Sequence, residues 1–280
     1  MTSGKFLTFL GFEIKRLAKH PVSILGGAFT GIVFIFIAFK IGEYSEIILK
    51  LARGSKELTE ESDALPFLIK ALTGNYLTGL LDSTAPLLRL FNYCIFLTLP
   101  LFVMLISSDQ VATDIGRKHL RFLLPRISRG EYFFNRVAVN IVVTCTLLIL
   151  FVFILDMGIT LHSDAAHFSE NLQYSFQSLF FLFLYSLSLM SVMTFANSFI
   201  SNPFLAFLLG MGIWILAVMV SSIGSLINPV LDNVRYMFPS GVRGLYFSSG
   251  SVPLMACISS LTYTVFFYGI GWLIFKKRDV

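Results

Sequence analysis

SSDQVATDIGRKHLRFLLPRISRGEYFFNR, residues 107–136, lies between two apolar runs and carries Arg117, Lys118, Arg121, Arg126, Arg129 and Arg136 against Asp109, Asp114 and Glu131. It is too long for a tight turn. It is also too charged for hydrocarbon, where one ionised side chain at mid-bilayer costs at least ~2.5 kcal/mol. The flanking runs therefore read as membrane crossings, and the stretch as a polar loop at the water boundary.

The rest of the chain agrees with this frame. Of its 280 residues 56% are hydrophobic and 13% charged, with a mean hydropathy of +0.79; a soluble domain carries roughly 25% charged residues. The apolar runs are long and do not alternate, which excludes a transmembrane barrel. The expected class is an all-α polytopic membrane protein with six transmembrane helices and one amphipathic interfacial helix, forming a single domain over 1–280. The net charge of +5 sits mainly at the ends of the spans. That pattern sets membrane orientation and is not the footprint of a nucleic-acid partner. Cys94, Cys145 and Cys257 each fall inside an apolar run and match no zinc or redox spacing, so they read as small buried residues.

Outward from the loop, residues 4–20 (GKFLTFLGFEIKRLAKH) place Phe6, Leu7, Leu10, Ile14 and Leu17 on one helical face, opposite Lys5, Lys15, Arg16 and Lys19. A helix of this kind lies in the headgroup layer, and His20-Pro21 ends it. No cleavable leader is expected, because the first apolar run follows a charged segment. The spans are expected at 22–38, 87–106, 137–155, 176–196, 203–220 and 253–275. Gly27 and Gly31 in the first span form a GxxxG, which allows close helix approach. Residues 41–88, acidic in the middle, are expected to lie on the outer surface as short helices. Pro100 is expected to kink the second span. The short turn 197–202 makes the fourth and fifth spans a hairpin. The link 221–252, rich in Gly and Pro, is expected to dip into the outer leaflet as broken helices.

Six spans place both termini on one side. The amino end, the 107–136 loop and the carboxyl tail hold 13 of the 21 Lys and Arg, so these three segments are expected to face the cytoplasm. No GxxxxGK[ST], HExxH or GxSxG occurs, so no catalytic residue, metal site or resident cofactor is expected. His162 and His167, five apart with no local cysteine, are weak metal ligands and read as surface histidines. Asn92, Asn140 and Gln177 are neutral and Asp156 falls near the outer face, which gives an ion pathway little support.

An amphipathic opening helix, six spans and a basic loop after the second span together resemble the permease subunits of type-2 ABC exporters, in their small six-span branch. The loop resembles that family's signature: an acid, a short gap, then a basic-apolar helix ending in a small-Arg turn. Here these are Asp114, Gly116, Leu120-Arg121-Phe122-Leu123-Leu124-Pro125 and Ser128-Arg129. Glu13-x-Lys15-Arg16 resembles the opening helix, and Phe275-Lys276-Lys277-Arg278-Asp279 the usual ending. The chain departs from the family where Asp114 replaces the commoner glutamate and Lys118-His119 a Gly-Thr pair.

The resemblance implies a dimer of permeases, identical or homologous, in a prokaryotic plasma (inner) membrane. It also implies two copies of a separate ABC ATPase, which would carry ATP and magnesium. Asp114, Gly116, Arg117, Leu120, Arg121, Phe122, Leu123, Leu124 and Arg129 would form the coupling helix that contacts the ATPase. Glu13, Lys15 and Arg16 would flank it, and Gly27 and Gly31 are candidates for dimer packing. Leucine and phenylalanine there would anchor the interface while the arginines steer it. The cargo would be amphipathic: a peptide, a drug or a lipid-like molecule. The alternative is a passive channel or an ion-coupled carrier with no ATPase.

Overall fold

The computed structural model describes residues 21–43, 86–108, 128–163, 168–227, 236–242 and 253–278, with Gly11, Lys15, Ala112, Asp114 and Tyr246. Six long helices run through these segments: α1 (Pro21–Glu43), α2 (Pro86–Ser107), α3, α4 (Phe168–Phe199), α5 (Pro203–Ile227) and α6 (Leu254–Lys277). Helix α3 is continuous but has three parts: Arg129–Leu147, a π-helical segment Leu148–Phe153, and Ile154–Ser163. Strands are absent among the described residues.

The helix starts follow from local chemistry. Pro86 and Pro203 open α2 and α5, where a proline loses no helical hydrogen bond. The Asn202 side chain accepts from Phe204 N at 2.9 Å, ahead of α5. Ser128 caps α3 in a reciprocal box with Glu131.

Five helices, α2 to α6, contain stretches long and apolar enough to cross a membrane. Helix α1, at 23 residues, is long enough to be a sixth: at about 1.5 Å per residue it spans roughly 34 Å. The polytopic all-helical class is as expected. The amphipathic helix 4–20 lies outside the described residues except for Gly11 and Lys15, as does the outer stretch 44–85.

Several boundaries differ from expectation: the first helix runs on to Glu43 and the fifth to Ile227, and the third and fourth change most. The third span extends back to Arg129 and on to Ser163, not 137–155. The fourth begins at Phe168, not 176. Residues 156–163 and 168–174, between the spans expected at 137–155 and 176–196, are thus helical. Hydropathy misses both extensions. The capping box sets the start of α3, and the buried bond from Asn92 carries Asp156 inside a helix that its polarity would otherwise end.

Helix α4 is the axis of the bundle. It packs on α2, α3, α5 and most extensively on α6. On its neighbours' side it buries Ser186, Ser188, Ser191, Thr194 and Ser198, whose hydroxyls each donate to a carbonyl of α4 itself. Small side chains satisfied in this way let helices approach closely without exposing polar atoms to lipid. Ser188 Oγ also lies 3.1 Å from Ser260 O and 3.4 Å from Thr264 Oγ1 on α6. A Cβ added at Gly271 would sit 3.3 Å from the Phe195 backbone. Between α2 and α4 the core is aromatic: Phe96 stacks on Tyr185 at 4.4 Å and on Phe181 at 5.9 Å. Trp214 Nε1 of α5 donates to Tyr185 OH at 3.0 Å. The hairpin expected from the short turn is present, since α4 packs on α5.

Candidate functional site

The described parts of the basic loop are its two ends, and both are tied to the same end of the bundle. Asn197 Nδ2 at the close of α4 donates to Ser107 O, the last residue of α2, at 2.7 Å. Arg129 Nη1 at the start of α3 donates to Lys276 O in the last turn of α6 and to Arg278 O just past it, each at 2.9 Å. Arg278 Nη1 in turn donates to Ser198 O at 2.8 Å. These bonds join the ends of four helices. Cationic side chains against terminal carbonyls also meet the negative end of the helix dipole.

Beside this knot lies a buried triad. Asp114 pairs with Arg136 and accepts from Tyr132 OH. Arg136 Nε donates to the same phenol at 3.2 Å. Asp114 and Arg136 are 2% and 5% exposed, so their pairing offsets part of the cost of burying both charges. Phe133, Phe134, Trp272 and Phe275 close the triad off, with Tyr132 stacked on Phe275 at 5.9 Å. The geometry makes the loop base a rigid corner.

Of the residues assigned to the loop by resemblance, Asp114 and Arg129 are thus brought to this corner. Gly116, Arg117, Leu120, Arg121, Phe122, Leu123 and Leu124 lie outside the described residues, as do Glu13 and Arg16; Lys15 is helical and exposed. In α1, Gly31 receives the Phe151 ring of its own chain, which a Cβ would meet at 2.6 Å, whereas a Cβ at Gly27 would meet nothing within 4 Å.

Sequence reasoning missed a second polar centre, toward the opposite end of the bundle. Asn92 Nδ2 of α2 donates to Asp156 Oδ1 of α3 at 2.9 Å, and Ser178 Oγ of α4 donates to Asn92 Oδ1. Asp156, Thr160 and Ser175 are fully buried and Asn171 is 2% exposed. Next to them Arg89 lies over the Tyr174 ring at 5.2 Å, and Tyr246 stacks on Phe181 at 4.2 Å. Burial pushes ionisation of the Tyr246 hydroxyl above the ordinary tyrosine range. The available signal was spacing: Asp156/Thr160 and Asn171/Ser175 are polar pairs four apart, each lining one helix face. Among the described residues no three His, Cys, Asp or Glu side chains group as a metal site.

The helices and these two buried polar centres define an all-helical, multi-pass membrane protein. Within that class, residues 33–280 match the family described as "Protein of unknown function (DUF2705)", and the chain belongs to it. Among curated proteins nothing matches.

Proposed function

We propose that this chain is the transmembrane subunit of an ATP-driven exporter of the type-2 ABC kind, coupled through the 107–136 loop to a separate ATPase. One observation carries the reading: the loop's two ends are pinned to the ends of α2, α3, α4 and α6 by Asn197, Arg129 and Arg278. A free topology signal needs no such anchoring. A lever does, because force applied to a slack loop is lost in the loop. Rigid corners of this kind allow an outside load to bias a packed bundle between discrete arrangements.

In this reading the Leu120–Leu124 segment seats in a groove of the ATPase. Arg117, Lys118, Arg121 and Arg126 set its register, and ATP with magnesium stays on the partner. Two permeases and two ATPases form the working unit in a prokaryotic inner membrane, with both termini cytoplasmic. Gly27, whose Cβ position is open, remains a packing point for the second permease.

Affinity capture of the full chain from its native membrane tests the proposal. Wild type is expected to bring down an ABC ATPase in stoichiometric amount. Arg121→Glu, Phe122→Ala and Leu123→Asp should each lower its recovery at least about tenfold, the equivalent of one lost anchor worth ~1.4 kcal/mol, while melting with the wild type. Capture without an ATPase, or undiminished capture by all three variants, refutes the reading. Transport that survives ATP depletion and fails when the ion gradient collapses would establish the carrier instead.

A further inference from the structure

The upper halves of α3 and α4 form an antiparallel hairpin about the link 164–167. Stepping away equally from both sides of that link brings position 160 level with 171, and 156 level with 175. These four positions carry Thr160, Asn171, Asp156 and Ser175, all buried, and Ser175 lies beside Asp156. Two polar rungs therefore cross between the helices.

One oxygen on each of the four side chains makes no hydrogen bond of ordinary geometry: Asp156 Oδ2, Ser175 Oγ, Thr160 Oγ1 and Asn171 Oδ1, although the Ser175 hydroxyl is close enough to act on the Asp156 carboxylate. Buried polar groups are ordinarily bonded, and an unpaired one costs about 1–3 kcal/mol. Four of them on adjoining rungs is too many to leave to chance packing. Asp156 Oδ1 is satisfied by Asn92. Among the described residues Asp156 has no ion-pair partner, and the nearby Arg89 is turned onto the Tyr174 ring. Among the described residues, the groups facing the carboxylate are Asn92 on α2, Ser175 and Tyr174 on α4, and Tyr246 in the α5–α6 link, none of them cationic.

We infer that Asp156, Thr160, Asn171 and Ser175 form a site for a monovalent cation of sodium's size. The donor set is entirely oxygen, which selects a hard cation over a transition metal. Its single carboxylate balances one positive charge, whereas a calcium ion would leave a net charge buried. A bond from the Ser175 hydroxyl to Asp156, with or without a proton on the carboxyl, would satisfy at most the lower rung and would leave Thr160 Oγ1 and Asn171 Oδ1 as they are. One cation serves both rungs. The inference does not depend on the ATPase reading, since a cation here would bind a lone permease as well as an assembled one.

The test is thermal unfolding of the purified full-length chain in detergent at constant ionic strength, with sodium chloride exchanged stepwise for choline chloride. A ligand bound only by the folded state raises the midpoint with its concentration. The expected result is a saturable rise of a few degrees in sodium. Asp156→Asn should abolish it and Thr160→Val weaken it, while Ser186→Ala, a buried hydroxyl lower on α4, retains it. Equal midpoints for wild type in sodium and choline overturn the inference, and this arm requires no variant to fold. A midpoint that rises on acidification in choline and ignores sodium identifies a proton in place of the cation and also overturns it. A full sodium response in Asp156→Asn moves the site elsewhere and does the same.

Discussion

Arg136 and Asp114 are the residues on which the basic corner turns. Removing one member of a buried ion pair leaves an uncompensated charge and costs about 3–5 kcal/mol, whereas replacing both with apolar residues of similar size is often close to neutral. Arg136→Met alone is therefore expected to lower the melting temperature of the purified chain more than Asp114→Leu and Arg136→Met together. Tyr132→Phe, which forfeits one phenol on a charged acceptor, should cost less than either single charge removal, about 1.5–3 kcal/mol. A double variant that melts below Arg136→Met would contradict this account of the corner. Asp114 was singled out only through the resemblance of the loop, and its partner was not. Arg136 read only as the charge that opens the third span. Nothing in linear spacing says that a guanidinium 22 positions downstream of an aspartate will fold back on it. Asp156 failed for a related reason. Hydropathy placed it at a helix end because it is polar, and Asn92, which keeps it inside, lies 64 positions away.

At the scale of helices, existence and order were readable, because runs of about twenty apolar residues have few other physical outcomes. Which helix is central was not. Helix α4 looks like any other apolar segment until its Ser and Thr residues are seen to bond back to their own carbonyls. Its extensive seam with α6 depends on Gly271, which meets the backbone of Phe195, and backbone cannot rotate aside. At Gly210 on α5 the neighbour is the Met193 thioether, which can. Gly271→Val is accordingly expected to abolish a cooperative melting transition, or to lower its midpoint far more than Gly210→Ala. Circular dichroism of the two purified variants decides it, and a Gly271→Val midpoint equal to that of Gly210→Ala would count against the seam.

For the molecule as a whole, orientation follows from where the cations lie. The corner that gathers Arg129, Arg136 and Arg278 also receives the ends of α2, α4 and α6, so one end of the bundle is cationic. In the orientation proposed above, which follows the positive-inside rule, that end faces the cytoplasm. Single-cysteine variants on a background lacking Cys94, Cys145 and Cys257 give the check. Ser128→Cys, on an exposed cap, is expected to react with an impermeant maleimide only after the membrane is opened, and Ser55→Cys to react in intact cells. Reversed labelling would invert the molecule and detach the loop from any cytoplasmic motor. The six-crossing plan and its charge bias were in the sequence. The fastening of the loop's ends was not, because carbonyl groups carry the bonds and every residue has one.

The widened segment Leu148–Phe153 has a consequence for comparing this chain with its kin. Each i→i+5 bond takes in one residue more than an α-helical bond, so the segment stores slack. A relative one residue shorter there could wind the stretch as ordinary α-helix and still aim Asp156 at Asn92 and the lower half at the cationic corner. The same loss anywhere else in α3 would swing the two halves about 100° out of phase. A one-residue gap in an alignment of this helix belongs opposite 148–153, and placing it elsewhere would pair Asp156 with the wrong position.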